Sequence, residues 1–142
     1  METTKNTEKN DYTCNISING DKESIKPGET IEYEVSLSNI KANSGIKAFE
    51  TYIDYDSNLF DCVVKSNEDE NWSKIGFLEG YLTMYKNDGI NTQDQVVAKI
   101  VFKAKSNIST STNKITLKNI RFTSDDDKFF SVADISVDLK IN

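Results

Sequence analysis

Along most of the chain, apolar and polar side chains alternate one by one, the period of a strand with one wet face. "TCNISI" (13–18) places Cys14, Ile16 and Ile18 on one side. "TIEYEVSLS" (30–38) turns Ile31, Tyr33, Val35 and Leu37 inward against Glu32, Glu34, Ser36 and Ser38. In "GIKAFETYIDYDSNLF" (45–60), Phe49, Thr51, Ile53 and Tyr55 share one face, and Glu50, Tyr52 and Asp54 share the other. "VVAKIVFKAK" (96–105) directs Val96, Ala98, Ile100, Phe102 and Ala104 inward, opposite Lys99, Lys103 and Lys105. "KITLKNIRF" (114–122) and "DISVDLKI" (134–141) continue the habit. No stretch keeps the three-and-four spacing of a helical stripe for three turns, so the pattern predicts little or no helix.

Turn chemistry agrees with this reading. Asn19-Gly20, Pro27-Gly28, Ser44-Gly45, Glu79-Gly80 and Asp88-Gly89 each join a turn former to a glycine. Glu79-Gly80 stands between "KIGFL" and "YLTMY" and predicts a tight hairpin. Eight or nine antiparallel strands, each with one wet face, must bury their apolar faces against each other, which predicts a β-sandwich. The expected core includes Ile31, Val35, Leu37, Phe49, Ile53, Tyr55, Leu82, Ile100, Phe102, Leu117, Val137 and Leu139.

The chain has 142 residues, the size of one domain. Residues 1–12, "METTKNTEKNDY", have too little apolar surface to fold and read as a solvated tail or linker, leaving 13–142 as the domain. The tail lacks the apolar stretch of a secretory signal. It suits either a cytoplasmic protein or a segment of a longer chain.

Composition removes several kinds of chemistry. A net charge of −6 argues against nucleic acid and against an anionic membrane surface, and no apolar run approaches the roughly 20 residues of a membrane-spanning helix. The chain contains no histidine, so it has no Ser-His-Asp triad, no Cys-His dyad and no His-ligated metal. It has no glycine-rich phosphate loop. Carboxylates are too common on this acidic chain to single out a glycosidase pair. Nothing in the residues supports catalysis. Cys14 and Cys62 fall in strand-like runs and read as buried free thiols, with one disulfide as the alternative. "SDDDK" (124–128) reads as a charged loop between strands, with an oxygen-ligand calcium site as the alternative. Trp72, Tyr81 and Tyr85 are candidates for a sugar-stacking platform, against ordinary cross-strand packing.

The order of motifs resembles a cohesin domain over about residues 13–142. "IKPGETIEYEVSLSNI" is similar to the turn leading into that family's second strand. "SGIKAFETYIDYDSNLFDCVV" resembles its third strand, and "YLTMYKNDG" its sixth strand and the loop after it. "DQVVAKIVFKAKS" resembles the eighth strand, and "ITLKNIRFTSDDDKFF" the ninth. The resemblance implies a nine-stranded jelly-roll sandwich within a larger secreted or cell-surface protein. It also implies a non-catalytic module, monomeric alone, that binds a dockerin on a glycan-degrading enzyme. The calcium of such a complex belongs to the dockerin, so no cofactor is expected here. Cys14 and Cys62, on the first and fourth strands, would not be neighbours.

Family members with the best-known interface carry Asn and Asp two apart on the third strand, where this chain has Ala48 and Glu50. Asn87-Asp88 stands where an acidic pair is usual, and Gln95 where a glycine precedes the eighth strand. The resemblance implies a partner surface of Glu50, Tyr52 and Asp54 on the third strand, with Tyr85, Asn87 and Asp88 after the sixth. Lys99, Val101 and Lys103 on the eighth strand are expected to adjoin them. A carbohydrate-binding module with exposed rings and a structural spacer in a surface protein are the competing readings.

Overall fold

Each alternating run becomes a strand in the computed structural model, which describes residues 12–42, 45–87 and 92–142. In chain order these are β1 (Thr13–Gly20), β2 (Ser24–Ile25), β3 (Thr30–Lys41), β4 (Ile46–Asp54), β5 (Phe60–Lys65) and β6 (Trp72–Leu78). They continue as β7 (Tyr81–Lys86), β8 (Gln95–Ala104), β9 (Ser111–Ser124), β10 (Phe129–Val132) and β11 (Ile135–Ile141). A single 3-10 turn over Glu68–Glu70 is the one helical element among the described residues. The all-β expectation therefore holds. Two short strands, β2 and β10, were not read from the sequence. Strand β2 pairs with β11 in parallel, an exception to the antiparallel expectation.

The strands form two sheets that bury their apolar faces against each other. The first has the order β1-β3-β8-β5; the second runs β2-β11-β9-β4-β7-β6, with β10 added alongside β9. In the first sheet Phe102 is fully buried and meets the rings of Tyr33, Tyr55 and Phe60 edge-on, at 5.9, 5.3 and 6.3 Å. In the second, Phe49, Phe122 and Phe130 form a stack with 5.3 Å between successive rings. Each fully buried ring among these (Tyr33, Phe49, Phe60, Phe102 and Phe122) contributes about 1.5–3 kcal/mol through burial, and ring geometry adds about 0.5–1.5 kcal/mol per pair.

Some core expectations need correction. Tyr55 and Val137 are only half-buried. Val96 is half-buried as well, because β8 carries a bulge: Ser36 pairs with Val96 and Val35 with Ala98, leaving Val97 as the extra residue. The bulge shifts the inward phase to Gln95 and Val97 before Ala98 resumes it. Gln95 is buried for a reason. Its Oε1 accepts the indole N–H of fully buried Trp72 at 2.6 Å, and its amide donates to the Gln93 carbonyl at 2.7 Å. Beside it, Glu70 accepts the Val96 N–H at 2.6 Å and Asn67 donates to the Val96 carbonyl at 2.8 Å.

The β6–β7 hairpin forms as expected, with Glu79 at φ 53 and Gly80 at φ 89, the left-handed pair of a two-residue hairpin turn. Cys14 and Cys62 are free, on β1 and β5 at opposite edges of the first sheet; Cys14 is buried, but Cys62, on an edge strand, is only half-buried, against the expectation of two buried thiols. Three strand spacings separate those edges, roughly 14 Å, against the ~7 Å limit for a disulfide. Burial pushes both thiols up to about 12.

Candidate functional site

The outer face of the second sheet is built from cross-strand rows. Ser73, Tyr85, Ala48, Thr123 and Phe129 lie side by side across β6, β7, β4, β9 and β10. Gly76, Thr83, Glu50, Arg121 and Ser131 form the next row, and Leu78, Tyr81, Tyr52 and Lys118 the third. Strand spacing and residue rise make this surface roughly 20 Å across the strands and roughly 14 Å along them.

Alternation on β4 and β7 puts Glu50, Tyr52, Asp54, Tyr81 and Tyr85 outward. On β9 it would not, since Lys118 and Arg121 are three residues apart and belong on opposite sides of a regular strand. A bulge resolves this. Glu50 pairs with Arg121 and Tyr52 with Lys118, so β9 spends one more residue than β4 over that interval. Asn119 within it takes a left-handed φ of 52, which a short polar side chain tolerates. Both cations thereby reach the outer face, and Thr51 beneath donates to the Lys118 carbonyl at 2.8 Å.

Those cations meet the expected acids. Arg121 lies 2.7 Å from Glu50, and its guanidinium sits 4.7 Å above the Phe129 ring. Lys118 lies 2.7 Å from Asp54, and that hydrogen bond holds the ammonium pKa above its ordinary value. The uncharged part of the face is aromatic and largely exposed. Leu78 is 73%, Tyr81 65% and Tyr85 42% exposed. Tyr52 is half-buried because its ring leans on Tyr81 at 4.8 Å and covers Gly80. A Cβ on Gly80 would lie 2.6 Å from the Tyr52 ring, so this glycine admits the ring as well as the turn.

Asn87 stands at the rim, its side chain exchanging hydrogen bonds with Ser73 and its N–H donating to the Asn71 carbonyl at 2.7 Å. Asp88 lies outside the described residues. Lys99, Val101 and Lys103 do not adjoin this surface. Their strand, β8, pairs with β3 and β5 in the first sheet, so they face outward on the opposite side of the sandwich. Alternation gave their phase correctly, but the neighbours of β4 are β9 and β7. Trp72 cannot belong to a ring platform, being fully buried with its N–H bonded to Gln95. Two of the "SDDDK" acids are engaged separately: Asp126 accepts from the Tyr12 hydroxyl at 2.6 Å and from Ser124, and Asp127 pairs with Lys47. Among the described residues, no three His, Cys, Asp or Glu side chains are grouped to hold a metal ion.

Sequence reasoning did not assign Lys118, Arg121 and Leu78 to this face, and considered Tyr81 only for sugar stacking. The one local signal for the two cations is the Asn between "TLK" and "IRF".

With this geometry in view, the chain matches known proteins as follows. The sequence profile of the Cohesin domain matches residues 14–142. A cohesin module from a Clostridium perfringens family 33 glycoside hydrolase superposes with a TM-score of 0.77 at 15% identity, covering 92% of this chain and 98% of that one. The cohesin of a type I cohesin–dockerin complex from Clostridium thermocellum gives 0.68 at 23% identity, covering 89% and 99%. A non-cellulosomal cohesin from the archaeon Archaeoglobus fulgidus gives 0.61 at 16%, covering 89% and 91%. No curated protein sequence matches. At these identities the structural likeness is one of fold.

Proposed function

Because this chain belongs to the cohesin family, we propose that it is a non-catalytic interaction module whose outer β4–β7–β9 face docks a dockerin-type module. The observation that carries the reading is the row of Leu78, Tyr81 and Tyr52, with Tyr85 nearby: three exposed apolar side chains and the half-buried Tyr52 ring on one sheet face, flanked by ion pairs. Interfaces anchor on such rings within a polar surround. Similar folds occur in complexes described as cohesin–dockerin pairs, which supports the partner class. The partner surface comprises Glu50, Tyr52, Asp54, Tyr81, Tyr85 and Asn87, together with Lys118 and Arg121. The domain serves a larger extracellular or surface-bound assembly, and the complex draws its calcium from the dockerin.

The test is a pull-down of dockerin-bearing proteins from the source organism, with calcium and then with chelator, beside a polysaccharide panel. Calcium-dependent capture is expected, weakened by more than about 1 kcal/mol in Tyr52→Ala or Tyr81→Ala. Capture unchanged by both substitutions would move the partner to another face. Retention on glycans alone would replace the reading with a carbohydrate-binding one.

A further inference from the structure

Strand β1 ends the first sheet: it pairs with β3 on one side and, among the described residues, with no strand on the other. Its residues, Thr13–Gly20, carry no charge in a chain where 28% of residues are charged. Sheet edges are ordinarily guarded by charges, because unpaired N–H and C=O groups recruit further strands. The other long edges follow that rule. β5 carries Asp61 and Lys65, and β6 carries Lys74, whose N–H is taken by the Ser66 hydroxyl at 2.8 Å.

Asp21 N–H donates to the Glu32 carbonyl at 2.9 Å. In the β1–β3 register, Asn19, Ser17 and Asn15 therefore bond to β3, and Ile16 and Ile18 turn their N–H and C=O away from the sheet. The side chains of Ile16 and Ile18 point inward yet are only half-buried, as are Val132, Ile135 and Val137 on β10 and β11. Those two strands belong to the opposing sheet and meet β1 through inward side chains, as the Tyr12 ring meets Phe130 at 6.2 Å. Among the described residues, no backbone bond joins either of them to β1. The core is least covered along this side.

The free edge reads the same in both directions about Ser17: Asn15-Ile16-Ser17-Ile18-Asn19. We propose that β1 is a self-recognition edge, pairing antiparallel with β1 of a second copy about a two-fold axis at Ser17. Ile16 then exchanges backbone hydrogen bonds with Ile18 of the second copy, and Ile18 with Ile16. Their side chains cover one another over the thin side of the core. On the outer surface Ser17 faces Ser17 and Asn15 faces Asn19, so no like charges oppose each other. A slip of one residue would turn the isoleucines outward. The two four-stranded sheets join into one of eight. The axis is perpendicular to that sheet, so both second sheets lie on one side of it with their outer faces free. This departs from the monomer that the family resemblance implies. It does not rest on the docking reading, but two docking faces on one assembly would take two partners at once.

Sedimentation equilibrium of the purified chain, from about 10 μM to about 1 mM, should show the mass rising from one chain toward two, the behaviour of a small, weak interface. Asn15→Lys/Asn19→Lys sets like charges opposite each other twice and should weaken the dimer about tenfold, although it lowers the net negative charge. Asn15→Lys/Asn19→Glu sets unlike charges in the same places and should hold the dimer at least as tightly as the natural chain. Both sites are exposed, and Trp72 fluorescence checks that each variant stays folded. Under mild oxidation Ser17→Cys, about 4.5 Å from its mate between Cα atoms, should cross-link. Asn15→Cys, roughly 14 Å from its mate, should not. Should a charged variant unfold, the two cysteine variants decide. A natural chain that stays single at 1 mM overturns the inference. So does a Lys/Lys variant that dimerises like the natural chain, a Lys/Glu variant that dissociates, or Asn15→Cys cross-linking as fast as Ser17→Cys. None of these readouts involves a dockerin, so the docking reading stands or falls separately.

Discussion

Gly80→Ala links the hairpin turn to the candidate face, and its cost follows from two separable causes. The first is backbone strain: Gly80 has φ 89, a region where an L side chain costs about 1–2 kcal/mol. The second is space. The new Cβ would lie 2.6 Å from the Tyr52 ring and 3.0 Å from the Ile53 carbonyl oxygen. The backbone there is held by the Ile53 N–H donating to the Gly80 carbonyl at 2.7 Å, so the ring must yield. Turning Tyr52 off its rotamer costs about 0.5–1.5 kcal/mol, and disturbing its contact with Tyr81 costs a similar amount. Gly28→Ala is the internal control. Gly28 has φ 85 in the turn closed by Glu29 N–H to the Lys26 carbonyl, and a Cβ there meets nothing within 4 Å. Gly28→Ala should therefore cost about 1–2 kcal/mol and Gly80→Ala about 1–3 kcal/mol more. Urea titration followed by the fluorescence of Trp72, the single tryptophan, measures both. Dockerin binding should fall only in Gly80→Ala. Equal losses for the two variants, within about 0.5 kcal/mol, would refute the Tyr52 contact as a structural constraint.

Buried groups make three further outcomes testable. Gln95→Ala leaves the fully buried Trp72 N–H without its 2.6 Å acceptor and should cost about 1–3 kcal/mol. A loss below about 0.5 kcal/mol in urea titration would show that another acceptor takes over. The thiols of Cys14 and Cys62, pushed up to about 12 by burial from the ordinary 9.0, stay protonated where an unfolded chain ionises. Unfolding then releases protons, so stability should be unaffected by these groups below pH 9 and fall as pH rises from about 9 toward 12. Tyr33, raised to about 12 by burial, adds to the fall. Ellman's reagent at pH 8 should find two thiols in urea and react slowly with buried Cys14 in the native protein; rapid native titration of both would contradict its burial.

Alternation made the faces of individual strands legible, because one wet side and one dry side leave no other period. It placed Glu50, Tyr52 and Tyr85 outward on the second sheet, and Lys99, Val101 and Lys103 outward on the first. It carries no information on which strand lies beside which. That is decided by long-range register, here the pairing of β4 with β9 and of β8 with β3. Bulges were illegible for a related reason: one extra residue reverses the phase, as at Val97 and Asn119, and only the partner strand reveals it.

The two outer faces of the sandwich still differ in a way that sequence and structure together make physical. On the first sheet the outward charged residues around Val63 and Val101 are Glu32, Glu34, Asp61, Lys65, Lys99 and Lys103, in which Lys65 bridges Glu32 at 2.8 Å. That surface offers small aliphatic area among long, mobile charges, whose ordering on contact is costly. The second sheet offers Tyr52, Tyr81 and Tyr85, side chains with large area and few rotors, and its charges are already held in pairs. Ring area gained at low entropic cost is what a docking face requires. The balance between the two faces therefore lies with the second sheet, and the bulge at Asn119 strengthens it by closing the acids that β4 presents.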